Sequence, residues 1–166
     1  MGRLKPDYYF DTVYDIPYQE LWEKGIRGLI FDIDNTIAAY ADNQPPAKIA
    51  ALVKRLKRMG FSLCLLTNNT NKRLGYFDKA LGLNGIANAL KPLSRGVRKA
   101  MRLMGTKSQQ TAIIGDQILS DIWAGKKAGI TTVLVKPLSK KDLAFVHVKR
   151  LIERRLLMKY FGESRL

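Results

Sequence analysis

One cysteine, one histidine and no apolar run of membrane-spanning length narrow the choices before any motif is considered. The lone Cys64 excludes an internal disulfide. Set inside Phe61-Ser62-Leu63-Cys64-Leu65-Leu66, it reads as a small buried residue of a reduced compartment, not as a catalytic thiol. Met1 to Phe10 carries no apolar core of signal-peptide length, and Pro6 stands where a myristoylation signal starting at Gly2 needs Ser or Thr. No internal repeat and no low-complexity linker marks a second domain, so residues 1–166 are expected to form one domain. The expected location is the cytoplasm, with peripheral contact with the inner face of a membrane left open.

Acidic residues are scarce. Fourteen Asp and Glu stand against 29 Lys and Arg, a formal net charge of +15, although 46% hydrophobic and 26% charged residues are ordinary for a globular chain. The imbalance points to an anionic partner or substrate: nucleic acid, an anionic membrane surface or phosphorylated molecules. Nucleic acid is the weaker candidate, because the sequence lacks the aromatic-interleaved basic platform that single strands stack on.

Against that scarcity, Asp32 and Asp34 stand two apart in Phe31-Asp32-Ile33-Asp34-Asn35-Thr36, directly behind the apolar run Leu29-Ile30-Phe31. In a strand, residues i and i+2 face the same way, so both carboxylates are expected to aim at one point where a buried strand meets its loop. Two unpaired anions there repel and lose hydration unless a cation joins them, which predicts a hard, oxygen-liking metal ion, magnesium first. The competing reading is a strand ending in a solvated Asx turn.

Apolar runs then alternate with helical patterns. Gly28 to Ile33, Phe61 to Thr67, Ile86 to Leu90, Thr111 to Ile114 and Thr132 to Val135 read as strands. Ala47 to Met59, Asn71 to Leu81, Ser94 to Met104 and Ile118 to Ala128 read as helices, after a short amphipathic stretch near Tyr18 to Lys24. Gly60, Gly82, Gly105 and Gly129 each fall just beyond one of those helices, where a left-handed closing residue is favoured. This order predicts an α/β fold: right-handed βαβ crossovers around a central parallel sheet, a Rossmann-like three-layer sandwich. Ligands of such sheets bind beyond the carboxyl ends of the strands. Asp32 and Asp34, Thr67 and Asn68, Lys91, and Gly115-Asp116 lie at four consecutive strand ends.

Asp32-x-Asp34-x-Thr36, Thr67 after an apolar strand, Lys91-Pro92, and Gly115-Asp116 with Asp121 resemble, in order, the four motifs of the haloacid dehalogenase-like superfamily of phosphotransferases, over roughly Gly28 to Val135. The resemblance implies Asp32 as nucleophile, Asp34 as general acid and base, and Lys91 as the neutraliser of charge on nucleophile and intermediate. It implies Mg2+ held by Asp32, Asp116 and the Asp34 backbone carbonyl, a phosphoryl oxygen held by Thr67 and the Asn68 amide, and Thr36 and Asp121 in support. Asp34 favours phosphomonoester hydrolysis over dehalogenation. More closely, Phe31 to Thr36, the Thr67-Asn68-Asn69 turn, Gly115-Asp116-Gln117 through Asp121, and Pro6-Asp7-Tyr8-Tyr9 resemble the YqeG-type capless phosphatases related to phosphatidylglycerophosphate phosphatase. That implies phosphatidylglycerophosphate as substrate, with no cap domain around the motif-bearing core 26–137. A phosphoprotein, nucleotide or sugar phosphate is the alternative substrate, and a basic nucleic-acid or ribosome-associated module with a vestigial site the alternative class.

Each assignment has a plainer competitor. Thr67 could begin a turn, with Asn69 or Thr70 capping the next helix; Lys91 could be a surface lysine; Asp116 could be a helix N-cap. Gln117 stands where many relatives carry an acid, and His147 lies outside the constellation. The loop Ala38 to Pro46 is the one obvious flap. The tail, about 140–161, is expected to be a basic amphipathic helix with Val148, Leu151, Ile152, Leu156 and Tyr160 on one side, either binding an anionic bilayer or covering the sheet.

Overall fold

The computed structural model describes residues 4–139 and 144–162, with side chains of 144–150 outside the description. Six strands form one all-parallel sheet: β1 (Tyr8–Phe10), β2 (Gly28–Phe31), β3 (Ser62–Leu66), β4 (Asn84–Ile86), β5 (Thr111–Gly115) and β6 (Thr131–Val135), in the order β1-β6-β5-β2-β3-β4. The chain moves one way from β2 to β3 and β4, then crosses to β5 and β6, so the order reverses between β2 and β5. That switch point opens a crevice at the carboxyl ends of these two strands.

The two central strands explain the core. Leu29, Ile30, Phe31, Ala112, Ile113 and Ile114 are all buried because helices cover both faces. On one face lie α1 (Tyr18–Glu23), α2 (Ala47–Arg58) and α3 (Asn71–Leu81), packing Leu21, Ile49, Leu52, Leu56, Leu74 and Phe77 against Leu29, Phe31, Leu65 and Ile114. On the other lie α4 (Arg95–Met104) and α5 (Trp123–Ala128), packing Val97, Ala100 and Ala124 against Ile30, Cys64, Leu66 and Ile113. Each buried Leu, Ile, Val or Phe side chain among them contributes roughly 1.5–3 kcal/mol. Cys64 is fully buried, and burial pushes its thiol up to about 12, as expected for an inert packing residue.

Helix stops follow the glycines. Gly82, Gly105 and Gly129 close α3, α4 and α5 in the left-handed conformation. Between Asp34 and Thr67 the chain forms the flap, α2 and β3, and between Thr67 and Lys91 it forms α3 and β4, so no cap is inserted.

Three expectations need correction. The short edge strand β1 went unexpected; it pairs with β6, and Asp7 just before it accepts hydrogen bonds from the Thr132 amide and hydroxyl, both at 2.8 Å, and from Lys126 Nζ at 2.5 Å. β4 occupies Asn84–Ile86 rather than Ile86 to Leu90, because its ladder to β3 pairs Asn84, Gly85 and Ile86 with Cys64, Leu65 and Leu66. The helix expected over Ile118 to Ala128 begins as a π-helical turn, Ile118–Ile122, before α5.

The tail forms α6 (Ala144–Phe161); residues 140–143 of the expected helix, and the side chains of His147 and Val148, lie outside the described residues. Its inward face differs from the expected stripe. Leu151 and Ile152 are exposed, whereas Glu153 is buried with its Oε1 accepting from the Leu119 amide at 2.9 Å, and Leu156, Leu157 and Phe161 pack against Tyr9, Ile118, Ile122 and Leu134. The buried Glu153 bond sets the helix's rotation, which an apolar count cannot foresee. Among the described residues, no helix is long and apolar enough to cross a membrane.

Candidate active site

The chain leaves β2 at Phe31, and the Asp32 amide still donates to Ile114 O of β5 at 2.9 Å, holding the Asp32 side chain at the switch point. The strand then stops. Thr36, Ile37 and Ala38 amides all donate to Ile33 O, Asn35 adopts a φ of 62°, and the chain turns tightly.

This turn corrects the expectation that Asp32 and Asp34 aim at one point, since the strand's two-residue repeat has ended before Asp34. The Asp34 carboxylate instead accepts from Arg73 Nε at 2.9 Å, Thr67 Oγ1 at 3.3 Å and Asn69 Nδ2 at 3.4 Å. The oxygen atoms that gather are those of Asp32, Asp116 and Asp121, within 4.8 Å of one another and all buried. Thr36 joins them, donating to Asp32 Oδ2 at 3.0 Å and to Asp116 Oδ1 at 3.4 Å. A side-chain ligand from Asp34 is therefore not part of this group; its backbone carbonyl is a separate matter.

Lys91 reaches in from the turn after β4. Its Nζ lies 2.5 Å from Asp32 Oδ1, 2.6 Å from Asp121 Oδ1 and 3.0 Å from Leu66 O, so all three ammonium protons are used. Burial tends to lower the Lys91 pKa, but the charges of Asp121 and Asp32 outweigh it and keep the ammonium form well past neutral pH. Asn68 fixes the turn by a reciprocal pair: its Nδ2 donates to Lys91 O at 3.1 Å and its Oδ1 accepts from the Lys91 amide at 2.7 Å. Lys91 is thus no surface lysine.

The π turn explains Asp121. The Asp121 amide donates to Gln117 O at 2.9 Å, while the Gln117 amide donates back to Asp121 Oδ2 at 3.2 Å. The carboxyl group then lies across the backbone of Gly115, where a Cβ would sit 2.3 Å from Asp121 Cγ. Only glycine fits beneath it. Thr67 begins the turn, its Oγ1 accepting from the Asn69 amide at 3.0 Å while donating to Asp34 at 3.3 Å, and Thr70 caps α3 by accepting from the Arg73 amide at 3.3 Å.

The group holds three buried carboxylates, and the ion pairs to Asp32 and Asp121 come from the single Lys91. Burial raises the Asp32 pKa well above the usual carboxylate range; Lys91 opposes this, while Asp121 and Asp116 add to it. A close-set, buried, all-oxygen donor group is what a hard divalent cation requires, so these residues fit a metal site.

Sequence reasoning missed Arg73. Its guanidinium is buried, donates to Asp34, and also donates to Ala39 O at 2.9 Å and to Asp42 O, both in the flap. The available signal was its place on the apolar stripe of α3, four residues before Phe77, whose ring lies 4.7 Å from the guanidinium carbon.

A family model described as haloacid dehalogenase-like hydrolase matches residues 37–129. The chain belongs to the haloacid dehalogenase-like hydrolases, and among them it is a phosphatase. It is 30% identical to the protein named "Probable phosphatase YqeG" of Bacillus subtilis (strain 168) over 152 residues, 92% of this chain and 88% of that one. It is 29% identical to "Phosphatidylglycerophosphate phosphatase 1, chloroplastic" of Chlamydomonas reinhardtii over 139 residues, 78% of this chain but only 52%, about half, of that protein. A HAD phosphatase from Thermococcus onnurineus shares the fold, with a TM-score of 0.56 at 14% identity over 76% of this chain and 98% of that structure.

Proposed function

We propose that this chain is a magnesium-dependent phosphomonoester hydrolase in which Asp32 is the nucleophile, acting on a lipid phosphate presented at the cytoplasmic face of a membrane. Residues 1–166 are read as one phosphatase domain. The observation that carries the chemistry is the contact between Lys91 Nζ and Asp32 Oδ1 at 2.5 Å inside the buried acidic group at the switch point.

Asp32, Asp116 and the Asp34 backbone carbonyl are assigned to Mg2+, with Asp121 and Thr36 supporting them. When bound, the ion neutralises charge on the phosphoryl oxygens. The Asp32 carboxylate attacks phosphorus and displaces the alkoxide, forming an acyl phosphate. Asp34 gives the alkoxide its proton, then takes a proton from the water that cleaves the acyl phosphate and restores Asp32. Thr67 Oγ1 and the Asn68 amide hold a phosphoryl oxygen. Lys91, with all its donors directed, offsets the negative charge of nucleophile and intermediate without having to reorganise.

The lipid substrate rests on three supports. A relative covering most of this chain is named for phosphatidylglycerophosphate, the site carries no cap, and the chain's net charge is +15. A capless site suits a substrate whose own surroundings exclude water. The test is phosphate release from a panel of phosphatidylglycerophosphate, phosphopeptides, nucleotides and sugar phosphates, by wild type and Asp32→Asn, with magnesium and with chelator. Magnesium-dependent release from the lipid, lost in Asp32→Asn, is expected. Release that prefers a soluble member of the panel overturns the substrate assignment, and release unaffected by Asp32→Asn overturns the mechanism.

A further inference from the structure

We infer that the turn carrying Lys91, together with the exposed side of α4, is a docking face for an anionic lipid bilayer, with Leu90 and Leu93 entering the interface beside the active site. The choice of occupant rests on the lipid-phosphate reading above; the surface itself does not.

The turn has an uncommon division of labour. The Leu93 amide donates to Leu90 O at 2.9 Å, closing a tight turn with Lys91 and Pro92 between them. Lys91 points inward to Asp32 and Asp121, while the two leucines at its ends point out and are 67% and 54% exposed. Leu90 holds a φ of 55°, a conformation rarely adopted by leucine, and Asn68 clamps the same turn from behind through both Lys91 backbone groups. A rigid loop that presents two leucines at the rim of a polar site gains nothing from water. It gains from an apolar layer lying against that rim.

The charge beside it has the matching sign. From Lys79 to Gly115 the sequence contains seven Lys and Arg and no Asp or Glu. Five of those, Arg95, Arg98, Lys99, Arg102 and Lys107, are exposed on or just after α4, the helix that starts two residues beyond Leu93. None has a carboxylate partner within ion-pair distance among the described residues. Arg95, Lys99 and Arg102, at helical spacing, line an open groove of about 460 Å³ with Leu103. Unpaired basic groups attract anionic headgroups, and adjacent exposed leucines add the apolar component that turns attraction into interfacial binding. A nucleic acid would use the charge but not the leucines, and α4 carries no aromatic side chain on which bases could stack.

The test uses the full chain and vesicles of phosphatidylcholine with or without phosphatidylglycerol. Wild type is expected to co-sediment with the phosphatidylglycerol vesicles and to be released by salt. A Leu90→Ser/Leu93→Ser pair and an Arg95→Gln/Lys99→Gln/Arg102→Gln triple are each expected to weaken partitioning by about tenfold or more, with thermal unfolding reporting that both remain folded. A second measurement does not depend on those variants: Leu93→Cys, labelled with an environment-sensitive dye while the buried Cys64 stays unlabelled, is expected to shift to the blue on adding anionic vesicles.

Vesicle binding equal to wild type in both multiple variants, or an unshifted dye at Leu93→Cys, overturns the proposal. RNA binding that requires the α4 basic residues, without vesicle binding, also overturns it. Asp32→Asn keeps the docking face and is expected to bind vesicles as wild type does. Docking as described with no hydrolysis of phosphatidylglycerophosphate sustains this inference and sinks the substrate reading; hydrolysis with unaltered binding in the variants does the reverse.

Discussion

Arg73 Nε stands 2.9 Å from Asp34 Oδ1, and the same guanidinium holds the carbonyls of Ala39 and Asp42. One side chain therefore ties the proposed acid and base to the flap above it and to the start of α3. Replacing Arg73 with Ala leaves a buried carboxylate and two flap carbonyls without their donor. The expected cost is about 3 kcal/mol of stability and about a hundredfold in kcat, with Arg73→Lys intermediate because an ammonium cannot span all three acceptors. Thermal unfolding and steady-state kinetics check both; unchanged kcat in Arg73→Ala would show that Asp34 needs no positioning.

The acidic group should reveal itself in stability before any turnover is measured. Burial raises the Asp32 pKa above that of the unfolded chain, so the metal-free protein is favoured below the unfolded value and loses that advantage as pH rises through the folded value. Asp32→Asn removes the cost of ionisation. In chelator at neutral pH the variant is expected to melt about 2–4 °C higher for each kcal/mol relieved, a gap that closes below about pH 4 and on adding magnesium. A lower melting temperature for Asp32→Asn in chelator at neutral pH counts against a cost of ionising Asp32 in the metal-free site.

Asp7 predicts the opposite pH sign. Burial raises its pKa, but hydrogen bonds from Lys126 and Thr132 outweigh this and leave it below the usual carboxylate value. The stability it confers is therefore present above the unfolded pKa and lost as pH falls through the folded one. Because the Asp7 side chain is 41% exposed and its pairing with Lys126 is screened by water, Asp7→Ala is expected to cost only about 0.5–1 kcal/mol at neutral pH, measured by denaturant unfolding, and the difference should shrink below about pH 4. A gap that persists in acid would assign the effect to packing of β1 alone.

Much of this was legible because buried parallel strands are short apolar runs: β2, β3, β5 and β6 stand out, and the residues at their ends converge as the topology requires. The misses have specific causes. β1 is three residues long and gains its place only by pairing with β6. β4 contains Asn84 and Gly85, which carry no strand signal, and Gly85 is there because Leu74 lies where its Cβ would be. The π turn inserts one residue into a helical pattern and so re-aims Asp121, a change that hydrophobic periodicity does not register. Arg73 was hidden because a buried arginine needs partners 31 to 39 residues away in sequence, in the flap and at Asp34.

Gly115 tests that last geometry directly. A methyl group there meets the Asp121 carboxyl carbon at 2.3 Å and must displace it from Lys91. Gly115→Ala is expected to destabilise the fold by about 1–3 kcal/mol and to lower kcat, measured by unfolding and by kinetics. Wild-type values in both would mean that Asp121 is free to move without consequence.

The central claim is that phosphorus passes through Asp32. Rapid acid quench during turnover with magnesium, followed by mass spectrometry of the peptide holding Asp32, tests it most directly. The account predicts one phosphoryl group on Asp32 that disappears as substrate is exhausted and never forms in chelator. A wild-type rate in Asp32→Asn, or a phosphoryl group trapped on another residue instead, would contradict it.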